Sequence, residues 1–320
     1  MISVSDVEAA RERISSFVTE TPLEKSRTLS TLLGTNVYLK LELFQKTGSF
    51  KPRGAFNQIL QLTGLARERG VVAVSGGNFA QGVAYAGNSL NTKAVICMPA
   101  YTPSNYVEAT KSYGADVKLA PDFPSTFTLA ETYKAEGYAF LHAWDNPHQM
   151  AGNGTIGLEI LEELPEATDI FVSIGGGGLI AGITVVVKAI KPEVRIWGVE
   201  TEGAETMGKA LQAGEVVQIV PTSLAKTLGA PYVAEDALRI AERYLTEHIT
   251  VSDQEAIECQ QFLLERAKVL TELAASCTLA AAKRVSHRFQ EKDHVVLLLC
   301  GGNESLASMI AYPRMVSEYL

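Results

Sequence analysis

The chain contains 320 residues, of which 47% are hydrophobic and 20% are charged, and its formal net charge is −8 at pH 7. A chain of this length can form two domains with well-buried cores, and its composition is typical of a soluble globular protein. The negative charge argues against nucleic acid or an anionic membrane surface as a partner.

The cysteines and the N-terminus indicate the compartment. The four cysteines, Cys97, Cys259, Cys277 and Cys300, include no C-x-x-C pair, which indicates a reducing compartment and no zinc site. The first residues lack a basic n-region and an apolar h-region, so we expect no export signal and a cytoplasmic protein. The uncharged run Ile170 to Val187 contains four consecutive glycines, which predict a buried strand, turn and helix rather than a membrane span.

A first helix is predicted near the N-terminus. Ser5 and Glu8 have the spacing of a capping box. Apolar residues then recur at helical intervals, at Val7, Ala10, Ile14 and Phe17. This periodicity indicates that one face of the helix packs inward. Further along, Val37 to Glu42 predicts a strand and Gly54 to Leu62 predicts a helix.

Strand and helix patterns alternate from residue 71 onward. Strands are predicted at Val71 to Ser75, Ala94 to Met98, Asp116 to Leu119 and Tyr138 to Leu141. Helices are predicted between them at Ala80 to Leu90, Pro103 to Tyr113 and Ser125 to Glu136. Such alternation gives a parallel sheet with right-handed crossovers. We therefore assign residues 67–145 to a smaller domain, inserted in a larger domain formed by residues 1–66 and 146–320.

The later part of the chain continues this alternation. Strands are predicted at Asp169 to Val172, Val194 to Val199 and Val295 to Leu299. Helices are predicted at Leu179 to Ile190, Leu238 to Tyr244, Asp253 to Ala267 and Glu272 to Arg288. Little sequence follows the last strand, so we expect no C-terminal regulatory domain.

Lys51 stands between small and aromatic residues in the segment Gly48 to Ala55, after the strand predicted at Val37 to Glu42. A lysine at a strand-to-helix turn, partly buried by Phe50, is a candidate for imine formation, because burial lowers the pKa of its amine. For a lysine considered alone, the alternative is a solvated residue at the start of a helix.

Two glycine-rich turns have the properties of anion-binding sites. Ser173 to Leu179 contains four consecutive glycines between a predicted strand and a predicted helix, and Ser75 to Phe79 has the same setting. Successive backbone N–H groups and a helix N-terminus attract an anion. The first turn lacks the lysine of a Walker loop and the G-x-G-x-x-G order of a dinucleotide site. One lysine and two such turns suit a phosphorylated aldehyde and a carboxylate substrate.

Four motifs follow one another along nearly the whole chain. T-G-S-F-K-x-R-G-A, S-x-G-N-x-A-Q-G and G-G-G-G-L occur at Thr47 to Ala55, Ser75 to Gly82 and Gly175 to Leu179, and a final S-G-G-N is present as Cys300 to Asn303. Together they resemble the pyridoxal-phosphate enzymes of the tryptophan-synthase-β fold type, most closely the serine/threonine dehydratases. The resemblance implies an α/β fold of two open, mostly parallel twisted sheets with helices on both faces, and a homodimer or tetramer.

The resemblance also implies roles toward pyridoxal 5′-phosphate and the substrate. Lys51 is the Schiff-base lysine and the base that removes the Cα proton. Phe50 lies against the cofactor ring, and Asn78 contacts the 3′-oxygen of that ring. The phosphate is held by Gly175, Gly176, Gly177, Gly178 and Leu179. The substrate carboxylate is held by Ser75, Gly76, Gly77, Asn78 and Phe79.

Three of the following positions depart from the family pattern, and Gly76 separates two of the family's reactions. Phe79 replaces the usual histidine, and Cys300 replaces the serine opposite the pyridine nitrogen, where a thiol is a weak donor. Gly76 stands where racemases of the family have a serine that acts as an acid, so we expect elimination rather than racemisation. At the family's divalent-metal site Glu200 matches, but Thr206 replaces an acidic residue, so we expect no metal.

These observations predict a pyridoxal-phosphate-dependent ammonia-lyase. It would dehydrate and deaminate a β-hydroxy-L-amino acid such as L-threonine or L-serine to a 2-oxo acid and ammonia. Phe79 and the altered metal region leave room for bulkier substrates such as phenylserine or 3-hydroxyaspartate. β-Replacement and racemisation use the same fold and are alternatives, and so is a non-catalytic protein that binds pyridoxal phosphate or an amino acid.

Overall fold

The computed structural model describes residues 1–317 and contains two β-sheets with helices packed around them. The strands in that range are β1 Leu23–Lys25, β2 Asn36–Lys40, β3 Val71–Val74, β4 Ala94–Pro99, β5 Asp116–Ala120, β6 Ala139–Leu141, β7 Asp169–Ser173, β8 Arg195–Thr201, β9 Glu247–Val251 and β10 His294–Leu298. The α-helices are α1 Val4–Ile14, α2 Arg27–Leu33, α3 Lys51–Leu60, α4 Gly64–Arg69, α5 Asn78–Ser89, α6 Ser104–Ser112, α7 Phe123–Ala135, α8 Pro147–Glu163, α9 Gly178–Ile190, α10 Thr206–Ala213, α11 Glu235–Tyr244, α12 Asp253–Phe262, α13 Leu273–Arg284 and α14 Leu306–Ser317.

The larger sheet has six strands in the order β1-β2-β10-β7-β8-β9. Its neighbouring strands are parallel except for the antiparallel pair β1 and β2. Every residue of β7 is buried, as expected for a parallel strand in a sheet that helices cover on both faces. The predicted α/β class with mostly parallel sheets is confirmed.

The smaller sheet has four parallel strands in the order β5-β4-β3-β6. Along β3, Val71 and Ala73 pack into one apolar cluster with residues of α5, whereas Val72 and Val74 pack into another with Ala130 of α7. Successive side chains of a strand point to opposite faces, so α5 and α7 cover the two faces of this sheet.

The smaller sheet lies within residues 67–145, the range predicted for the inserted domain. Its core also receives side chains from α1 and α3, namely Ile14, Ala55, Phe56 and Ile59. Helices from both parts of the sequence therefore contact this sheet, and the exact domain boundaries stay a prediction.

The structure corrects one local prediction. The N-cap of α1 is Ser3, whose Oγ accepts a hydrogen bond from the Asp6 N–H at 3.3 Å while the Ser3 N–H donates to Asp6 Oδ2 at 2.8 Å. The capping box predicted at Ser5 and Glu8 is therefore wrong, because the helix begins earlier, at Val4.

Several elements have no counterpart among the predicted ones: β1, α2, α4, α8, β9, α10 and α14. The segment Gly152 to Thr155, which we placed at the return to the larger domain, lies inside the long helix α8. The uncharged run Ile170 to Val187 forms β7, a turn and α9, as predicted. Within residues 1–317 no helix combines the length and the apolar character needed to cross a membrane.

Candidate active site

Three neighbouring strands bring three of the predicted motifs to one edge of the larger sheet. In the parallel registers of β10, Leu298 pairs with Lys40 of β2 and Leu297 pairs with Phe171 of β7. The carboxyl ends of β2, β10 and β7 therefore lie side by side, where ligands bind in open α/β sheets. Lys51 follows β2, and Cys300 follows β10. The glycine-rich turn Ser173 to Leu179, called the glycine loop below, follows β7.

Lys51 is the first residue of α3 and is fixed by hydrogen bonds to the end of β10. The Phe50 N–H donates to the Cys300 carbonyl at 3.1 Å, and the Gly302 N–H donates to the Gly48 carbonyl at 2.9 Å. The Lys51 amine donates to the Ala143 carbonyl at 3.1 Å. These contacts place the amine between the two sheets.

Two aromatic rings flank the Lys51 amine. The nitrogen lies 5.0 Å from the centre of the Phe50 ring and 5.6 Å from that of Phe79. Burial lowers the pKa of Lys51 to about 8, although nearby Cys300 and Glu272 oppose this effect. A substantial fraction of the amine is therefore neutral near pH 8, as required for attack on a carbonyl.

The lysine-bearing helix packs tightly against α5. A Cβ atom added to Gly82 of α5 would lie 3.2 Å from Lys51 Cβ and 3.1 Å from the Lys51 carbonyl carbon. Gly82 thus permits the close approach of α5, which fits the glycine at the end of the second motif. The contact joins the helix after the Ser75 turn to the turn that contains Lys51.

Arg53 anchors the same helix through a buried ion-pair network. Its Nη2 lies 2.7 Å from Glu42 Oε1 and 2.9 Å from Glu159 Oε2. Glu159 also pairs with the buried amine of Lys40 at 2.8 Å. Burial by itself would lower the pKa of Arg53, but the two carboxylates raise it overall. The network links β2, α3 and α8 and thereby fixes the position of Lys51.

The glycine loop offers unused hydrogen-bond donors at the start of α9. Within residues 1–317 no acceptor takes a hydrogen bond from the N–H groups of Gly175, Gly176, Gly177, Gly178 and Leu179. The first bond of the helix is donated by the Ala181 N–H to the Gly177 carbonyl at 3.0 Å. Gly177 has a φ of +88°, which favours glycine. Successive free N–H groups at a helix N-terminus fit a phosphate.

Asn78 belongs to a polar network that orients its amide. Its Nδ2 donates to Glu272 Oε1 at 2.8 Å, and its Oδ1 accepts from Asn303 Nδ2 at 2.8 Å. The same Nδ2 also lies 3.0 Å from Glu272 Oε2, so both carboxylate oxygens of Glu272 accept from this amide. Asn303 also donates its amide to the Thr47 carbonyl at 2.7 Å, which connects the network to the Lys51 turn.

Glu272 is the buried acid of this network. Its carboxylate also accepts hydrogen bonds from Thr227 Oγ1 at 2.8 Å and from the Asn303 N–H at 3.0 Å. Burial raises the pKa of Glu272, and the bonds from Asn78, Thr227 and Asn303 oppose that rise. The sequence motifs give no sign of this residue, since its contact with Asn78 spans 194 residues.

The Ser75 turn connects β3 to α5 and precedes the start of that helix. The Ser75 Oγ accepts a hydrogen bond from the Gly77 N–H at 3.2 Å, and Phe79 is buried beside the Lys51 amine. A Cβ atom at Gly76 would lie 2.8 Å from Thr102 Oγ1, so a serine would require movement of Thr102. The structure thus brings the predicted carboxylate turn next to Lys51, while its role stays a prediction.

Cys300 lies at the end of β10 and is buried. Its Sγ accepts from Ser173 Oγ at 3.4 Å and donates to the Ala274 carbonyl at 3.7 Å. Burial and the nearby Glu272 raise the pKa of Cys300 to about 12. The thiol is therefore neutral near pH 7 and can serve only as a weak hydrogen-bond partner.

Glu200, the residue that matches the family's metal site, has protein partners. Its carboxylate accepts from the Met207 and Gly208 N–H groups, each at 2.9 Å, and lies 2.6 Å from His248 Nε2. Within residues 1–317 no cluster of three or more His, Cys, Asp or Glu side chains has a metal-binding arrangement. Independence from metals stays a prediction.

These residues together define the class of the site. A partly buried lysine with a lowered pKa and a loop of free N–H groups at a helix N-terminus lie at the same edge of the larger sheet. Such an arrangement fits a cofactor that has both an aldehyde and a phosphate, held by a lysine and a glycine loop. The residues present therefore fit pyridoxal 5′-phosphate.

Comparison with known proteins places the chain in a family. Residues 14–301 match the family described as "Pyridoxal-phosphate dependent enzyme". The chain is 39% identical over 308 residues to the L-threonine ammonia-lyase of Thermotoga maritima, covering 95% of this chain and 76% of that protein. It is 37% identical over 312 residues to the L-threonine dehydratase catabolic TdcB of Staphylococcus aureus, covering 96% of this chain and 90% of that protein. The chain belongs to the pyridoxal-phosphate dependent enzymes.

Solved structures have the same fold over nearly the whole chain. Maize serine racemase superimposes with a TM-score of 0.91 at 29% identity, covering 99% of this chain and 98% of that chain. The processed form of threonine deaminase isoform 2 from Solanum lycopersicum superimposes with a TM-score of 0.92 at 30% identity, covering 98% of this chain and 92% of that chain. The predicted family, fold type and cofactor are confirmed, whereas the roles of individual residues stay predictions.

Proposed function

We propose that the protein catalyses dehydration and deamination of a β-hydroxy-L-amino acid, with L-threonine or L-serine as the substrate. The net reaction removes the Cα proton and the β-hydroxyl group as water, and hydrolysis then replaces the nitrogen by oxygen. Threonine gives 2-oxobutanoate and ammonia, and serine gives pyruvate and ammonia. No oxidant or reductant is needed. The names of the threonine ammonia-lyase and dehydratase relatives support this choice.

The observation that carries the proposal is the setting of Lys51. Its amine has a pKa lowered by burial to about 8 and lies close to both the Ser75 turn and the end of β10. A base with a pKa near the working pH is suited to proton transfer at carbon. Pyridoxal phosphate, when bound, supplies an aldehyde that links to amino groups and a ring that withdraws electrons.

The chain's own residues would then divide the work. The N–H groups from Gly175 to Leu179 hold the phosphate, and those at the start of α5 hold the substrate carboxylate. Asn78, oriented by Glu272 and Asn303, would contact the 3′-oxygen of the cofactor ring, as the family resemblance implies. Lys51 binds the aldehyde between turnovers and accepts the Cα proton during them.

Cys300 favours elimination over reactions that need a stronger electron sink. If Cys300 lies opposite the pyridine nitrogen, as the family resemblance implies, its neutral thiol would be a weak donor and would leave that nitrogen mostly unprotonated. A mild electron sink suits a reaction in which the leaving hydroxyl takes up the electrons. The support that Cys300 gives to β-elimination therefore rests on the family resemblance for the position of the cofactor ring.

Racemisation is the second candidate, because serine racemases are among the structural neighbours. It needs a proton donor on the cofactor face opposite Lys51, and Gly76 has no side chain to provide one. β-Replacement remains a further alternative and would be revealed by a new amino acid when a thiol is added. A protein that only binds the cofactor or an amino acid would show no turnover.

The deciding experiment measures 2-oxo acid release from L-threonine, L-serine, phenylserine and 3-hydroxyaspartate, while the absorption of the bound cofactor is recorded. Release from L-threonine or L-serine supports the proposal, and release only from a bulkier substrate would move the assignment to that substrate. Absorption of the bound cofactor with no 2-oxo acid released from any of the four substrates would overturn the proposed reaction. Chiral analysis of the remaining serine separates elimination from racemisation in the same samples.

The surroundings in which the enzyme works are part of the proposal. The four cysteines are unpaired and buried, which fits a reducing compartment such as the cytoplasm. The predicted homodimer or tetramer rests on the family resemblance alone. Sedimentation of the cofactor-loaded protein would measure the oligomeric state directly.

A further inference from the structure

The indole nitrogen of Trp144 is a buried donor without an acceptor. Its Nε1 is among the buried side-chain atoms of the described residues that have no hydrogen-bond partner. The other tryptophan has a partner, since Trp197 Nε1 donates to Asp169 Oδ1 at 2.7 Å. A buried N–H group without a partner in a native fold requires an explanation, and an absent ligand is one of them.

Trp144 lies directly against the glycine loop. A Cβ atom built on Gly176 would come within 2.1 Å of Trp144 Cγ and 2.2 Å of Trp144 Cδ1. A Cβ atom on Gly178 would come within 2.8 Å of the Trp144 carbonyl oxygen. The indole therefore packs on the backbone of the loop, and the glycines are needed for this approach. The ring that contains the unused indole donor thus packs against the loop whose N–H groups are also unused.

The orientation of the indole is fixed from its other side. The backbone N–H groups of Trp144 and Asp145 donate to His142 Nδ1 at 3.3 and 2.9 Å. The Trp144 ring lies 4.7 Å from the His142 ring and 5.4 Å from the Tyr232 ring, centre to centre. Burial, and then the nearby Lys51, lower the pKa of His142 to about 4. His142 is thus neutral near pH 7, and its Nδ1 remains an acceptor.

We propose that Trp144 is part of the phosphate-binding site and that its indole N–H donates a hydrogen bond to the cofactor phosphate. The side chain would add one directed donor to the backbone donors from Gly175 to Leu179. A phosphate has several acceptor oxygens, so one group can accept from both sources. The proposal rests on the assignment of the glycine loop to the phosphate under the proposed function.

The first test compares two ligands in Trp144→Phe, which removes the N–H and keeps an aromatic ring. Equilibrium binding to the cofactor-free protein is measured with pyridoxal phosphate and with pyridoxal, which has no phosphate. We expect the variant to bind pyridoxal phosphate ~10-fold to ~100-fold more weakly, as for a lost hydrogen bond to a charged group. Binding of pyridoxal should not change. An equal loss for both ligands, or no loss, would overturn the proposal.

The second test uses fluorescence, because the chain has only 2 tryptophans. Inorganic phosphate is the probe, since it absorbs no tryptophan emission. The wild-type spectrum minus that of Trp144→Phe isolates the emission of Trp144, and circular dichroism confirms that the variant is folded. We expect phosphate to change this difference spectrum and to leave the emission of Trp144→Phe unchanged. An unchanged difference spectrum at phosphate concentrations that displace pyridoxal phosphate would overturn the proposal.

The two proposals can fail separately. If the wild-type protein binds the cofactor and releases a 2-oxo acid while both indole tests fail, only the role of Trp144 is wrong. If the indole tests succeed and no amino acid of the panel yields a 2-oxo acid, the phosphate site stands and the reaction is wrong.

Discussion

The N–H of Phe50 donates a hydrogen bond to the carbonyl oxygen of Cys300 at 3.1 Å. This bond joins the lysine-bearing turn near the N-terminal side of the sequence to the end of β10 near its C-terminal side. A bridge between Ser49 and Gly301 continues the contact. Lys51 is therefore held by the strand that separates β2 from β7 in the sheet, and its position depends on the assembled sheet.

Replacing Lys51 by alanine should abolish turnover. The variant loses both the group that binds the aldehyde and the base, so we expect a fall in kcat of at least ~10³-fold. The measurement is 2-oxo acid release, combined with borohydride trapping and mass spectrometry to locate the attached cofactor. Lys46→Ala is the matched control, because Lys46 is exposed and lies on the preceding turn. Retained turnover in Lys51→Ala would contradict the assignment.

The rate of cofactor attachment should depend on pH through Lys51. Burial lowers the pKa of this amine to about 8, and only the neutral amine attacks an aldehyde. The rate for the cofactor-free protein should therefore rise with pH up to about 8 and level off above that pH. An amine with the ordinary lysine pKa of about 10.4 would still gain reactivity beyond about pH 9. Stopped-flow absorbance across this range distinguishes the two profiles.

Introducing a serine at Gly76 should promote racemisation. The hydroxyl would supply a proton donor at the position where racemases of the family have a serine, and a positioned acid typically contributes ~10²-fold or more. Because the new Cβ would lie 2.8 Å from Thr102 Oγ1, the double variant Gly76→Ser with Thr102→Ala is tested as well. Chiral chromatography measures D-serine formed from L-serine.

The control for this prediction is Thr102→Ala alone, which opens the same space beside Gly76 but adds no hydroxyl at that position. We expect little D-serine from the control. Equal racemisation by the wild-type protein would show that Gly76 does not decide between the two reactions.

Removing Arg53 should strongly destabilise the fold. Arg53→Met leaves the buried carboxylates of Glu42 and Glu159 with fewer partners, and breaking a buried pair costs ~3–5 kcal/mol. Denaturant unfolding of the cofactor-free protein measures this loss. Arg11→Met is the control, since Arg11 pairs with Glu162 on the surface and such pairs contribute at most ~1 kcal/mol. A similar loss of unfolding free energy in Arg53→Met and Arg11→Met would argue against a stabilising role of the buried network.

Glu272 should act on the reaction through Asn78. In Glu272→Gln the new amide opposes the donors of Asn78 and Asn303, so the Asn78 amide should turn away and kcat should fall ~10-fold or more. The absorption band of the bound cofactor should shift as well. Because the two residues act as a unit, the variant that combines Glu272→Gln with Asn78→Ala should lose no more than Asn78→Ala alone. Additive losses would mean that Glu272 acts independently of Asn78.

Local patterns were sufficient to predict most of the fold. The alternation of β3, α5, β4, α6, β5, α7 and β6 is readable from apolar periodicity, and the structure matches it within a few residues. The glycine loop and the Lys51 turn were also readable, because both depend on residues adjacent in sequence. Short or polar elements such as β1 and α10 were not predicted, because they contain too few apolar residues to show a helix or strand periodicity.

The sequence by itself determined the family, the cofactor and the segments that form the site. Only the tertiary structure decided which distant side chains complete it. Arg53 meets Glu159 through the packing of α3 on α8, Asn78 meets Glu272, and the indole of Trp144 lies on Gly176. Such contacts depend on strand order and on how each helix packs against its neighbours, and these follow from the burial of the whole core rather than from any local pattern.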